Sequence, residues 1–269
     1  MTRAGKYLRA LQLGIQTSLE YRFDFVFSLV SAFFPILIQT FIWMAVFAGS
    51  PDGQFFGYSY EEMILYTIVA AIVTRIVSSN TDHTIGIDIK DGALNKHLVM
   101  PASYFGLKLF GLLGQKMFFF AVMHGIIFIL LIVFASLYGV DLTIERVVLF
   151  VAAVTLALLL SFLISYTVAA IAFWLAEISY FFELTGLLVI ILSGGVFPIE
   201  VFGETVNALL DYLPFKYSIY FPTNVINGKL TGLEIAHGLG LQGLWIGVLF
   251  VTSRLIWSIG LKKYLGLGG

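Results

Sequence analysis

FVFSLVSAFFPILIQTFIWMAVFA, Phe25 to Ala48, runs for two dozen residues without one charged side chain. About 20 such residues, coiled as a helix, cross the hydrocarbon core of a bilayer. Val46-Phe47-Ala48 before Gly49 has the small-residue look of a leader-peptide cleavage site. A leader's apolar region is only about 7–15 residues long, however. The stretch is therefore read as a first membrane span.

The rest of the chain supports that choice. Of its 269 residues, 59% are hydrophobic and 12% charged, and mean hydropathy is +0.97. Soluble domains carry about 25% charged residues. Spans and short connections use up the whole length and leave no room for a separate soluble domain. The net charge of −1 implies no nucleic-acid partner. The absence of cysteine excludes disulfides and thiolate metal sites and says nothing of the redox compartment.

Six spans are expected, at 25–48, 60–79, 103–137, 144–176, 179–197 and 236–260. The third and fourth exceed the length needed to cross, so they tilt or project beyond the bilayer. Residues 1–22 are polar yet periodic. Leu8, Leu11, Ile15 and Leu19 recur at helical spacing while Lys6, Gln12, Gln16 and Glu20 fall elsewhere. That pattern reads as an interfacial helix, with a solvated tail as the alternative.

Cations in the flanks set the orientation. One side holds Arg3, Lys6, Arg9, Arg22, Lys90, Lys96, Lys262 and Lys263; the other holds Arg146, Lys216 and Lys229. The richer side is expected to be cytoplasmic, with both termini on it. Arg75, Lys108, Lys116 and Arg254 lie toward the cytoplasmic ends of their spans. They either snorkel or line a cationic vestibule.

On the same side falls DIKDGALNKHLVMP, Asp88 to Pro101. It cannot sit in lipid, because Asp82, Asp88, Lys90, Asp91 and Lys96 would each cost about 2.5–3.5 kcal/mol at the bilayer centre. A short helix is expected from Ile87 to Leu98, with Pro101 restarting the chain.

Several chemistries are absent from the sequence. Asp91-Gly92 resembles the start of a phosphatidyl-alcohol transferase motif, but Asn95-Lys96 stands where Ala-Arg is required and no further Asp follows before Asp141. No GxxxxGK[ST] loop is present, so ATP is not bound by that route. His83, His97, His124 and His237 have no metal-ligand spacing. Ser161 and Ser165 read as packing residues. His124, the one ionisable group near a span centre, reads as a packed, hydrogen-bonded histidine rather than a proton relay. The energy source is expected outside this chain.

The fifth span ends in LSGGVFPIEVF, where Gly194, Gly195 and Pro198 interrupt the helix. Phe202, Val206, Leu209, Leu210 and Leu213 then share one face, and YLPFKYSIYFPTNVINGK follows with Pro214 and Pro222 as breakers. A partly re-entrant hairpin fits this stretch; a surface-lying loop is the alternative.

Four segments in this order resemble the ABC-2 type permeases, the six-span membrane subunits of ABC exporters. They are TSLEYRFDF, IDIKDGALNKHLVMPASY, LSGGVFPIEVF and YLPFKYSIYFPTNVINGK. The resemblance covers the whole chain and is similar in scale to compact permeases encoded beside a drug-export-like ATPase. It implies an all-α membrane domain with an N-terminal connecting helix (1–22), a cytoplasmic coupling loop (80–102) and an external re-entrant segment (198–235) between spans five and six. It implies ATPase docking through Asp82, Asp88, Lys90, Asp91, Asn95 and Lys96, with a smaller contact at Glu177 and Glu183. It implies an external gate at Gly194, Gly195, Pro198, Phe202 and Leu209. The expected partners are an ABC ATPase that holds the ATP and Mg, a second permease of the same or a sister kind, and lipid. The expected location is the bacterial inner membrane. A self-contained secondary transporter would need a midplane ion site, and an integral membrane enzyme would need a polar catalytic cluster; neither is seen in the sequence. A non-transporting anchor is a further alternative. Lipids, drugs and peptides suit the aromatic-rich composition equally.

Overall fold

A computed structural model describes residues 3–20, 22–49, 53–78, 80–138, 143–175 and 177–264. Residue 176 and the side chains of Arg3 and Arg22 lie outside them. The described chain is mainly helical, with one small hairpin and short turns between the helices. In order come α1 (Arg3–Glu20), α2 (Arg22–Ala48), β1 (Gln54–Phe55), β2 (Tyr58–Ser59), α3 (Tyr60–Val77), α4 (Thr81–Lys90) and α5 (Leu94–Leu98). Then follow α6 (Tyr104–Tyr138), α7 (Ile144–Ala169), α8 (Ser179–Leu192), α9 (Glu204–Asp211), α10 (Tyr220–Ile226) and α11 (Gly232–Leu261).

Among the described residues four helical stretches are long and apolar enough to cross a membrane: Tyr60–Lys90, whose apolar part is α3, Tyr104–Val133, Ile144–Phe173 and Gly232–Leu261. Two shorter apolar stretches, Phe33–Ala48 and Ser179–Leu192, accompany them. α6 has 35 residues, about 52 Å at 1.5 Å per residue, well beyond the ~30 Å hydrocarbon core. α8 has only 14 residues, about 21 Å. The expected span 179–197 is thus a helix shorter than the core, closed by the Gly194–Gly195 turn.

Local sequence explains where the elements start. β1 and β2 pair antiparallel, Gln54 with Ser59 and Phe55 with Tyr58. Phe56 and Gly57 make the turn, both at positive φ, as a two-residue hairpin requires. Ser59 and Glu62 form a capping box that begins α3, and Thr231 and Glu234 form another at α11. Thr143 caps α7.

Two apolar clusters organise the packing. The apical one joins α3, the middle of α6, the first half of α7, α10 and the first half of α11, through residues such as Met63, Ile127, Phe150 and Phe221. The basal one joins α4, α5, the start of α6, the end of α7 and the end of α11, through Ile85, Leu94, Phe162 and Trp257. Gln242 of α11 links elements at the apical level: its Nε2 donates to the Ala153 and Tyr217 carbonyls at 3.0 and 2.9 Å.

α1 does not stand alone. It crosses α6 so closely that a Cβ at Gly14 would collide with the Gly111 carbonyl oxygen, and one at Gly114 with the Leu11 carbonyl oxygen. Tyr7 adds a ring stacked on Phe110 at 5.4 Å, and its hydroxyl accepts from the Ser103 N–H. Of the apolar stripe read from the sequence, Leu8 and Leu19 stay exposed. The contact is made instead around Gly14, where the absence of a side chain permits it.

Candidate functional site

The segment around Asp88 folds as two helices, not the single one expected from Ile87 to Leu98. Gly92, at φ +73°, breaks it. Ile85, Ile89 and Leu94 are buried against the basal cluster, so the segment is a fixed structure and not a free loop. Ile87, Asp91, Asn95, Lys96, Leu98, Val99 and Met100 are exposed on it, Val99 at 84%. This tip presents four apolar side chains beside Asp91, Asn95 and Lys96.

Asp88 departs from the surface role expected of it. Its carboxylate accepts from the Tyr104 hydroxyl at 2.7 Å and pairs with Lys108 at 2.8 Å. Both partners lie on the first turns of α6, so Asp88 clamps α4 to that helix. Tyr104 was not singled out from the sequence and Lys108 was read only as a cation near a span end, because the pairing spans 16 and 20 residues and leaves no periodic trace. His97 packs edge-on against the Tyr104 ring at 5.0 Å. Burial pushes its imidazole below the ordinary range, although the Asp88 charge opposes that shift.

The two expected contacts come together in space. Phe182 of α8 is buried against α4, edge-on to His83 at 5.4 Å, and Glu183 lies 3.6 Å from His83. Asp82 is half-buried beside them and Lys90 half-buried farther along α4. Glu177 is fully exposed. Its carboxylate accepts from the Ser179 N–H at 2.9 Å, which holds it below the usual carboxylate range.

Three of the four membrane-end cations also converge. Arg75, Lys108 and Lys116 border one cavity of about 480 Å3 with Asn80, Thr84 and Gln115. Lys116 donates to the Arg75 carbonyl at 2.9 Å. Arg254 is elsewhere, its guanidinium over the Phe105 and Phe250 rings at 5.4 and 5.3 Å. His124 is packed: Nδ1 donates to the Phe120 carbonyl at 2.8 Å and the ring stacks on Phe120.

At the apical end the segment after α8 turns inward. Gly194 takes φ +78°. The Tyr66 hydroxyl donates to its carbonyl at 2.7 Å, and the Tyr220 N–H donates to the Ser193 carbonyl at 2.8 Å. Gly195 faces Thr74, Ile190 and Ile219 so closely that a Cβ would fall about 3.0 Å from each. Pro198 is buried, Phe202 half-buried and Leu209 exposed. Phe221 to Ile226 of α10 are all buried. Polar residues hold this end, and of them the sequence reading named only Lys229, for orientation. Tyr220 donates to Glu200, and the Tyr58 hydroxyl lies 3.2 Å from Asn224 Oδ1. Lys229 pairs with Glu62 at 2.7 Å above the Tyr58 ring. Pairs such as Tyr58–Asn224 bridge more than 160 residues, and only the capping-box Glu62 had a local signal.

A family model described as "ABC-2 family transporter protein" matches residues 33–268. No curated protein and no solved structure matches the chain.

Proposed function

This chain belongs to the ABC-2 transporter family, and on that premise we propose that it is an exporter permease driven by a separate ATPase. Family membership makes it a multi-pass membrane permease of an ABC transporter. The finer reading places both termini and the α4–α5 tip in the bacterial cytoplasm. The ATPase holds ATP and Mg, and a second permease completes the pathway. The segment from Gly194 to Lys229 acts as a lid over the exit.

The observation that carries the reading is the construction of the tip. Ile87, Leu98, Val99 and Met100 are exposed with Asp91, Asn95 and Lys96, while Ile85, Ile89, Leu94 and the Asp88–Lys108 pair anchor the same two helices. An apolar centre gives affinity and a charged rim gives register. A rigid base transmits force: an ATPase that closes on ATP can bias the permease only through contacts that differ between its two states. The His83–Glu183 and Gly86–Phe182 contacts would carry that displacement to α8.

The test is co-purification with the ATPase partner. Val99→Asp combined with Leu98→Asp should abolish ATPase association while membrane insertion is retained. Asp91→Lys should weaken it less. Asp88→Asn should instead lower thermal stability, by about 1–2 kcal/mol. Undiminished ATPase association in the double Asp variant would overturn the docking assignment.

A further inference from the structure

Between α8 and the wall formed by α3 and α7 lies a cavity of about 330 Å3. Its basal mouth is acidic, bordered by Asp82, His83 and Glu183. Its length is marked by hydroxyls: Ser161 and Ser165 on α7, Thr185 on α8, and Ser193 and Ser218 at the apical end. Aliphatic side chains, among them Ile164, Val168 and Leu187, fill the rest of the wall. No Lys or Arg borders it among the described residues.

Two observations indicate that this groove is not merely a packing fault. Ser193 and Ser218 are buried, at 0% and 1% exposure, and neither hydroxyl oxygen has a hydrogen-bond partner. A buried hydroxyl left unpaired is costly, and such groups ordinarily find a partner. Thr185, by contrast, is satisfied by carbonyls of its own helix. The fully buried unpaired hydroxyls of the groove are therefore at one end and the carboxylates at the other. Glu183 and Ser193 are ten residues apart, about 15 Å along α8.

We propose that the groove binds a linear amphipath with a protonated amine at one end and a neutral hydrogen-bonding group at the other. The ammonium sits at the Asp82–Glu183 mouth. The apolar body lies along Ile164, Val168 and Leu187. The neutral end meets Ser193 and Ser218, which can both donate and accept. At the mouth a carboxylate in place of the ammonium would face like charge, so the amine is preferred there to an acid of the same length. The proposal rests on the permease reading for its meaning as a transport site.

The chain contains no cysteine, so Ser165→Cys places a single thiol midway along the groove. Its rate of labelling by a water-soluble maleimide is measured in the full-length protein with 8-amino-1-octanol, octylamine or 8-hydroxyoctanoate present. The amino alcohol should slow labelling about tenfold at a concentration where the hydroxy acid has no effect, the scale of one ion pair removed from bulk water. Glu183→Gln with Asp82→Asn should remove the preference for amine over acid. Ser193→Ala with Ser218→Ala should remove the advantage of the amino alcohol over octylamine. Equal protection by all three probes would reduce the groove to an apolar crevice, and no protection by any would show that it holds no ligand of this class. A thiol that never labels would show a groove closed to water; each of these results overturns the proposal. The readout is binding, so a failure here leaves ATPase association untouched, and a loss of that association leaves the binding result standing.

Discussion

α7 and α8 follow one another in sequence and are both strongly apolar, yet the molecule uses them differently. α7 buries side chains along nearly its whole length, from Phe150 to Ala169, against α3, α4, α10 and α11. α8 buries only Phe182 at its base. The acidic-mouthed groove flanks it on one side, and an apolar crevice of about 340 Å3 with Pro214, Phe215 and Leu249 on the other. Leu184, Leu187 and Leu188 are exposed. The lesson is that apolarity does not decide burial in a membrane protein. Lipid is as apolar as a leucine side chain, so only packing and hydrogen bonds choose between them. A helix held at its base and its apical turn, with space on both flanks, is the element that a displacement of α4 would move most readily.

The largest expected effect tests that contrast directly. Phe162→Ala on α7 removes a ring with 0% exposure and should cost about 2–3 kcal/mol, below the usual aqueous figure because lipid also solvates the ring. Leu184→Ala on α8 should stay within about 0.5 kcal/mol. Unfolding in mixed micelles compares them, and equal losses would break the contrast.

A second contrast separates the middle of α8 from its apical end. Gly194 is at φ +78°, and a Cβ there would lie 2.7 Å from the Tyr66 hydroxyl. Gly194→Ala should cost about 2 kcal/mol through left-handed strain and that clash. Gly186, inside α8, has nothing within 4 Å of its Cβ position. Gly186→Ala should be neutral or stabilising by up to about 1 kcal/mol. The same unfolding assay reads both, and a costly Gly186→Ala would mean that α8 is packed after all.

The smallest effect concerns the base that α7 shares with α4 and α5. His97 touches Tyr104, which stacks on Trp257, which stacks on Tyr166 of α7. Burial depresses the His97 pKa from its ordinary 6.5. Below that ordinary value the unfolded chain takes up a proton that the folded chain resists, so stability falls as pH drops through it. The thermal midpoint should fall by roughly a degree or two from neutral to mildly acidic buffer, and His97→Gln should remove that part of the pH dependence. An unchanged pH profile in the variant would detach His97 from the base.

The sequence by itself determined the local part of this protein. Long, mainly apolar runs with their few charges near the ends mark the apolar helices at nearly their observed bounds, as at Tyr60–Val77 and Tyr104–Tyr138, because bilayer thickness and helical rise are properties of consecutive residues. Gly194, Gly195 and Pro198 announced the break after α8, since backbone freedom and a missing N–H act where they stand. The charged run near Asp88 announced a segment outside lipid. The tertiary structure alone decided what those segments do to one another. It turned Asp88 inward onto Lys108 and Tyr104, broke the expected helix at Gly92, and shortened the fifth span to the 14 residues of α8. It also placed Ser161 and Ser165, which read as packing residues, on the wall of a groove with Asp82, Glu183, Ser193 and Ser218. Those groups come from separate stretches of the chain, and a hydroxyl has no periodicity of its own. Whether it meets a carbonyl, a void or a ligand depends on long-range packing that no window of consecutive residues contains.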